Sequence, residues 1–152
     1  MSYQYFFPVA GVIGLLFALW TFFDIKKKNE GSQIMKEIAE QIHLGAMVFL
    51  KREYTIVIVF AVVVFAALTK FLSLGTGLAF IAGASCSMLA GFFGMKAATR
   101  SSGRTTQSAI EKGTPAALDI AFRGGSVMGI SVAALGLIGI SLTYFFTKEL
   151  LS

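Results

Sequence analysis

Few side chains in this 152-residue chain could do chemistry, and they lie far apart. His43 is the single histidine and Cys86 the single cysteine. Of the eight carboxylates only Asp24 and Asp119 are aspartates. Metal binding needs several ligands at suitable spacing, and no such pattern occurs around His43, whose expected role is solvated or capping. Cys86 has no intrachain partner for a disulfide and reads as a small packing residue. Ser101, Ser102, Thr105 and Thr106 read as a hydroxyl-rich turn, with no base beside them to make a nucleophile. Arg100, Arg104 and Arg123 carry the right charge for phosphate, but the expected role is a solvated basic rim. There is no Walker A loop and no glycine-rich dinucleotide fingerprint, and Gly124-Gly125 reads as a helix packing point. The residues thus nominate no catalytic and no metal-binding position.

The elements that hold these groups are membrane helices. Hydrophobic residues make up 56% of the chain and charged residues 14%, with mean hydropathy +0.77. A soluble domain is about 45–50% apolar and about 25% charged, so the expected class is an all-α, polytopic membrane bundle in one domain. Four runs are long enough to span a hydrocarbon core, which takes about 20 helical residues. They are expected over about 5–24, 54–73, 76–98 and 120–147. Leu74-Gly75-Thr76-Gly77 reads as the turn between the second and third spans. Residues 31–51 read as an amphipathic helix lying along the membrane or on the bundle, with Met35, Ile38, Ile42, Ala46 and Phe49 on its apolar face. A short helix is expected around Gln107–Lys112, ended by Gly113. Thr114-Pro115 then starts a last helix of about 50 Å, whose first turns project from the membrane.

Charge orients the bundle. Eleven of the 13 lysines and arginines fall in segments 25–53 and 96–123, including Lys26, Lys27, Lys28, Lys51, Arg52, Lys96, Arg100, Arg104 and Arg123. Lys70 and Lys148 are the others. The positive-inside rule makes segments 25–53 and 99–119 cytoplasmic and both termini external, with the plasma or inner membrane as the expected location. The basic balance is therefore a topology signal. Nucleic-acid binding is not expected, because the aromatics lie in the spans. A cleavable signal is not expected either, since Lys26-Lys27-Lys28 follows the first apolar run. Asp24, Glu53, Asp119 and Glu149 lie at span ends or outside them, and no charge stands mid-span. That speaks against a complete secondary transporter and against a small four-helix exporter. Ala79, Gly83, Ser87 and Gly91 recur every fourth residue, as do Gly125, Gly129 and Ala133, and Ala10, Gly14 and Ala18. Such rows let helices approach closely in lipid. The second span is bulkier and is expected to face lipid.

Three blocks, IAEQIHLGAMVFLKREY (38–54), AFIAGASCSMLAGFFGMKAATRSSGRTTQSA (79–109) and AALDIAFRGGSVMGISVAALGLIGI (116–140), closely resemble the N-terminal portion of the membrane-integral inorganic pyrophosphatases. These are pyrophosphate-energised proton or sodium pumps. Ser101-Ser102 departs from the alanine and asparagine more frequent there. The resemblance implies an outer-ring module of four spans, the remaining helices of the pump and the lipid bilayer as partners, and a homodimer when complete. It also implies Mg2+ for the complete enzyme, held by acidic motifs downstream of this portion. No catalytic residue of the family transfers to a position here. Two distant aspartates cannot place metal ions and activate water, so the chain alone is not expected to hydrolyse pyrophosphate or pump ions. The rival reading is a stand-alone structural or assembly protein derived from such a pump.

Overall fold

The described residues form four long helices: α1 (Phe6–Lys26), α2 (Gln33–Phe71), α3 (Leu74–Lys112) and α4 (Thr114–Leu151). The computed structural model describes the backbone of residues 6–151 and the side chains of residues 6–145. Tyr5, where the first span was placed to begin, and the side chains of Thr147, Lys148 and Glu149 lie outside that description. All four helices are long and apolar enough to cross a membrane. This is an all-helical integral membrane protein.

The helices are longer and the corners tighter than the sequence implies. The amphipathic stretch is no separate helix, because it is the first half of the 39-residue α2. Its expected apolar face is also displaced. Ile38, Ile42 and Phe49 are exposed, whereas Leu50 and His43 are buried against α3. The hydroxyl-rich segment is likewise not a loop but the interior of the 39-residue α3. Its side chains satisfy themselves on the preceding turn. Ser101 Oγ donates to the Ala98 carbonyl at 3.0 Å, Thr105 Oγ1 to Ser101 at 3.0 Å and Thr106 Oγ1 to Ser102 at 3.3 Å. Ser and Thr are tolerated inside a helix in this way. The expected short helix at 107–112 is simply the end of α3.

The first corner runs over residues 27–32, and the other two use two residues and one. Gly31, at φ +90°, precedes Ser32, whose side chain accepts from the Met35 N–H at 3.4 Å and caps α2. The hairpin turn between α2 and α3 lies at Leu72-Ser73, two residues earlier than the glycine pattern suggests. Ser73 Oγ accepts from the Thr76 N–H at 3.2 Å, so Gly75 and Gly77 already belong to α3. Gly77 serves close approach instead, since a Cβ there would stand 2.4 Å from Thr69 Oγ1 and 2.9 Å from the Phe65 ring. Gly113, at φ +80°, joins α3 to α4 and fits the left-handed region that glycine alone occupies freely.

α4 is the hub of the bundle. α1 and α3 both pack along it, α2 packs only on the far side of α3, and α1 barely meets α3. Ala18, Ile25, Ala97, Ile120 and Val127 form the buried core. The α1–α4 contact is close because Gly11 and Gly14 stand at the crossing. A Cβ on Gly11 would lie 2.8 Å from the Ala134 carbonyl oxygen, and one on Gly14 would lie 3.1 Å from the Ala134 Cβ. On the other side of the hub, Gly94 admits Met128 and Gly124 admits Ser101.

Two substitutions separate packed from open positions. Gly11→Leu is expected to destabilise the bundle by about 1–3 kcal/mol, the usual cost of overpacking, because backbone stands in the way. Gly125→Leu should leave it within about 0.5 kcal/mol, the ordinary range for surface change, since no heavy atom lies within 4 Å of the added Cβ. Thermal unfolding in micelles, followed by circular dichroism, measures both.

Candidate functional site

The polar residues gather where α2, α3 and α4 run past the end of α1. At 1.5 Å per residue, a 39-residue helix is about 58 Å long, against a hydrocarbon core of about 30 Å. The surplus length of all three lies at this same end. It carries the charge that the spans lack.

Arg104 is the centre of the layer. Its side chain is only 5% exposed, contrary to the solvated rim expected for it. It reaches back to the C-terminus of α1. Its Nη2 donates to the Lys26 carbonyl at 3.1 Å and its Nε to the Lys28 carbonyl at 3.2 Å. It also pairs with Glu30 and donates to the Arg100 carbonyl of its own helix. Carbonyls at a helix end lack intrahelical partners and carry partial negative charge, so a guanidinium there is favourable twice over. Asn29 Nδ2 adds a link from the same corner to Glu111 at 2.8 Å, and Gln107 Nε2 donates to that carboxylate at 2.6 Å.

The other two arginines are also engaged. Arg100 pairs with Glu40 of α2 at 2.6 Å, in a half-exposed site. Arg123 joins Asp119 of its own helix at 2.9 Å to Asp24 of α1 at 3.3 Å. Lys26, Lys27, Lys28, Lys51 and Arg52 remain exposed. Lys96 lies 5.6 Å from the Phe92 ring centroid.

His43 is buried, against the expectation of a solvated role. Its Nδ1 lies 2.7 Å from Thr99 Oγ1. Thr99 spends its one hydroxyl hydrogen on the Met95 carbonyl at 2.9 Å. The tautomer with the proton on Nδ1 lets both bonds form at once, His43 donating to Thr99 and Thr99 to Met95. Burial holds the His43 pKa below its ordinary 6.5; Arg100 and Lys96 push the same way, and Glu40 opposes them. The imidazole is thus a neutral pin between α2 and α3.

Among the described residues, no three His, Cys, Asp or Glu side chains come close enough to hold a metal ion. Asp24, Glu30, Glu40 and Asp119 are each committed to an arginine. The donor set does not fit magnesium, and no hydrolytic step can be drawn through it. The layer is a latch.

The second feature is a groove of about 620 Å³ between α3 and α4 within the spans. Ala79, Gly83 and Ser87 line one wall, and Gly136 and Gly139 the other. A Cβ on Gly83 or Gly136 would meet nothing within 4 Å. Cys86 packs against Gly139, 3.3 Å from its would-be Cβ. The remaining predicted packing residues divide. Gly91 leaves room for Tyr54, whose hydroxyl donates to the Met88 carbonyl. Gly125, Gly129 and Ala133 are exposed, and among the described residues a Cβ on Gly125 or Gly129 would meet nothing within 4 Å, as α4 buries the neighbouring row of Ile120, Gly124, Val127, Ser131 and Ala134. The packed row of α3 is Ala90, Gly94, Ala97, Ser101, Arg104 and Ser108. Its small residues at helical spacing were a readable signal, hidden by the polar composition of its second half.

Comparison with known proteins gives a consistent match. The model of the inorganic H+ pyrophosphatase family matches residues 12–152. A putative K(+)-stimulated pyrophosphate-energized sodium pump of Clostridium tetani is 44% identical over 129 residues, covering 85% of this chain and 19% of the pump. A K(+)-insensitive pyrophosphate-energized proton pump of Methanosarcina mazei is 41% identical over 139 residues, or 90% of this chain and 21% of that protein. A K(+)-stimulated pyrophosphate-energized sodium pump of Thermotoga maritima is 40% identical over 134 residues, or 88% and 18%. The chain spans about a fifth of the length of these relatives.

The latch makes two predictions. Arg104→Leu should destabilise the bundle by about 3 kcal/mol, the low end for breaking a buried ion pair, because Glu30 keeps some water. Arg100→Leu, at the half-exposed pair, should cost about 1 kcal/mol or less. Denaturant titration compares the two. For His43 the sign follows from the lowered pKa: the unfolded state takes up the proton first as pH falls. Stability is therefore complete above pH 6.5 and declines as pH drops below it, and His43→Gln should abolish this dependence in unfolding curves between pH 5 and 8.

Proposed function

This chain belongs to the inorganic H+ pyrophosphatase family, and from that premise we propose that it is the N-terminal, outer-ring helix module of a pyrophosphate-driven proton or sodium pump. In the complete protein, pyrophosphate hydrolysis with Mg2+ on the cytoplasmic side drives ions outward. The acidic groups that hold the metal and the ion gate belong to helices outside these 152 residues. The module's part is to pack: its α3–α4 face takes up the remaining helices, and the complete pump works as a homodimer. The basic end of the bundle faces the cytoplasm, in keeping with the positive-inside rule.

One observation carries this reading. In the groove, Gly83, Ser87 and Gly136 are exposed and a Cβ on Gly83 or Gly136 would meet nothing within 4 Å, whereas Gly11, Gly14, Gly94 and Gly124 at the internal crossings are already in contact. Small residues earn a place in a lipid-embedded helix mainly by letting another helix come close. An unoccupied row of them on the hub helix and its neighbour is a seat for a further helix. The committed state of the latch carboxylates supports the other half of the reading, that this portion holds no pyrophosphate of its own.

The test uses the complete protein in native membranes. Gly83→Leu and Gly136→Leu are each expected to lower magnesium-dependent pyrophosphate hydrolysis by about tenfold or more, equivalent to the 1–3 kcal/mol of an overpacked contact. Ala67→Leu, on the exposed face of α2, should leave it unchanged. Full activity in both groove variants would remove the docking role. Absence of hydrolysis in the unaltered complete protein would remove the pump reading itself.

A further inference from the structure

A second cleft lies on the other side of the hub, and its lining differs in kind. α1 and α3 both rest on α4 but hardly touch each other, which leaves a space of about 290 Å³ between them. Leu15, Leu19 and Phe23 of α1 form one wall, Phe93 and Lys96 of α3 the other, and Val127 of α4 the floor. Leu19, Phe23 and Phe93 are partly open to the surroundings.

The walls select the occupant. The docking groove opens over small residues, Ala79, Gly83, Ser87 and Gly136, set between bulkier ones such as Val132 and Ile140, which suits a rigid helix. This cleft is walled by leucine and phenylalanine, which keep a helix backbone at a distance and instead suit a flexible chain. Its length also fits. From Leu15 to Phe23 the helix rises about 12 Å, most of one leaflet of a hydrocarbon core about 30 Å thick.

The charge at its mouth completes the case. Lys96 stands 22 residues along α3 from Leu74, about 33 Å, which puts it one core thickness from the opposite surface. That is the level of lipid phosphates at the basic end. Among the described residues Lys96 has no carboxylate partner, and its recorded contact is the Phe92 ring. Asp24, at the same end of α1, is engaged by Arg123 at 3.3 Å. Exposed Lys26 and Lys27 add to the positive field around the mouth. A further protein helix seated here would cover an unpaired ammonium, whereas an anionic headgroup would satisfy it.

We propose that this cleft binds one acyl chain of an anionic phospholipid, with the lipid phosphate on the Lys96 ammonium. The site requires only that the bundle sit in a membrane and is independent of the pump reading.

Native mass spectrometry of the complete protein, released from vesicles of equal phosphatidylglycerol and phosphatidylcholine, tests it. The unaltered protein is expected to retain one phosphatidylglycerol in preference to phosphatidylcholine by about fivefold, the worth of one cation near the surface. Lys96→Gln should erase that preference without reducing total lipid, and Leu19→Trp, which fills the cleft from an exposed position, should remove the retained lipid of either kind. Lys70→Gln, at the opposite end, should change nothing. Retention of the wild-type preference by Lys96→Gln, an unchanged lipid count in Leu19→Trp, or no retained lipid in the unaltered protein would each overturn the proposal. The last result would mean that protein fills the cleft.

Discussion

Close approach at α4 is the contact on which α1 and α3 depend, and α2 is held only through α3. In lipid the apolar effect does not drive one helix against another, so association rests on van der Waals contact and the few polar bonds available. Contact of that kind is strong only where backbones come near. Gly11 and Gly14 provide the nearness for α1, and Gly94 and Gly124 provide it for α3. α2 lacks such a seam with the hub and stays at the edge, where its bulky, β-branched span remains largely exposed.

The latch solves a problem that packing creates. Three helices run well beyond the hydrocarbon, into a region where water competes for every hydrogen bond. Arg104 restores order there by taking up carbonyls that α1 leaves free at its end, and it does so from a buried position. Arg123 ties Asp24 to Asp119, and His43 ties α2 to α3 through Thr99. Each pin joins elements distant in sequence. They fix how the projecting parts sit on one another in a place where the membrane no longer constrains them.

Much of this was legible in the residues and some was not, for identifiable reasons. Four spans follow from hydropathy alone, because nothing but a helix satisfies the backbone in lipid. The small-residue rows were also visible, but periodicity cannot tell which of two adjacent rows is partnered. Gly124 and Gly125 differ by 100° around α4; one is buried on Ser101 and the other faces outward. The segment from Ser101 to Thr106 resembles a loop by composition, since the carbonyl bonds that quiet its hydroxyls appear only once the helix exists. Arg104 and His43 looked solvated because their partners, Glu30 and Thr99, lie 74 and 56 residues away. The family resemblance, carried by three long blocks, was fully readable and identifies the chain more surely than any side-chain geometry here.

The seating of α1 on α4 sets the order in which the chain can be assembled. Of the four helices, α1 is made before the α2–α3 hairpin and its principal partner, α4, after it. Until α4 is made, the contact that α1 has within the bundle is its small one with α3, the Arg104 bonds at its C-terminal end included. The hairpin can close early, as its strands of contact are local, and α4 then completes the unit by meeting α3 and α1 together. Biogenesis of this bundle is thus a wait followed by a capture, and its vulnerable period is the interval before α4 is inserted.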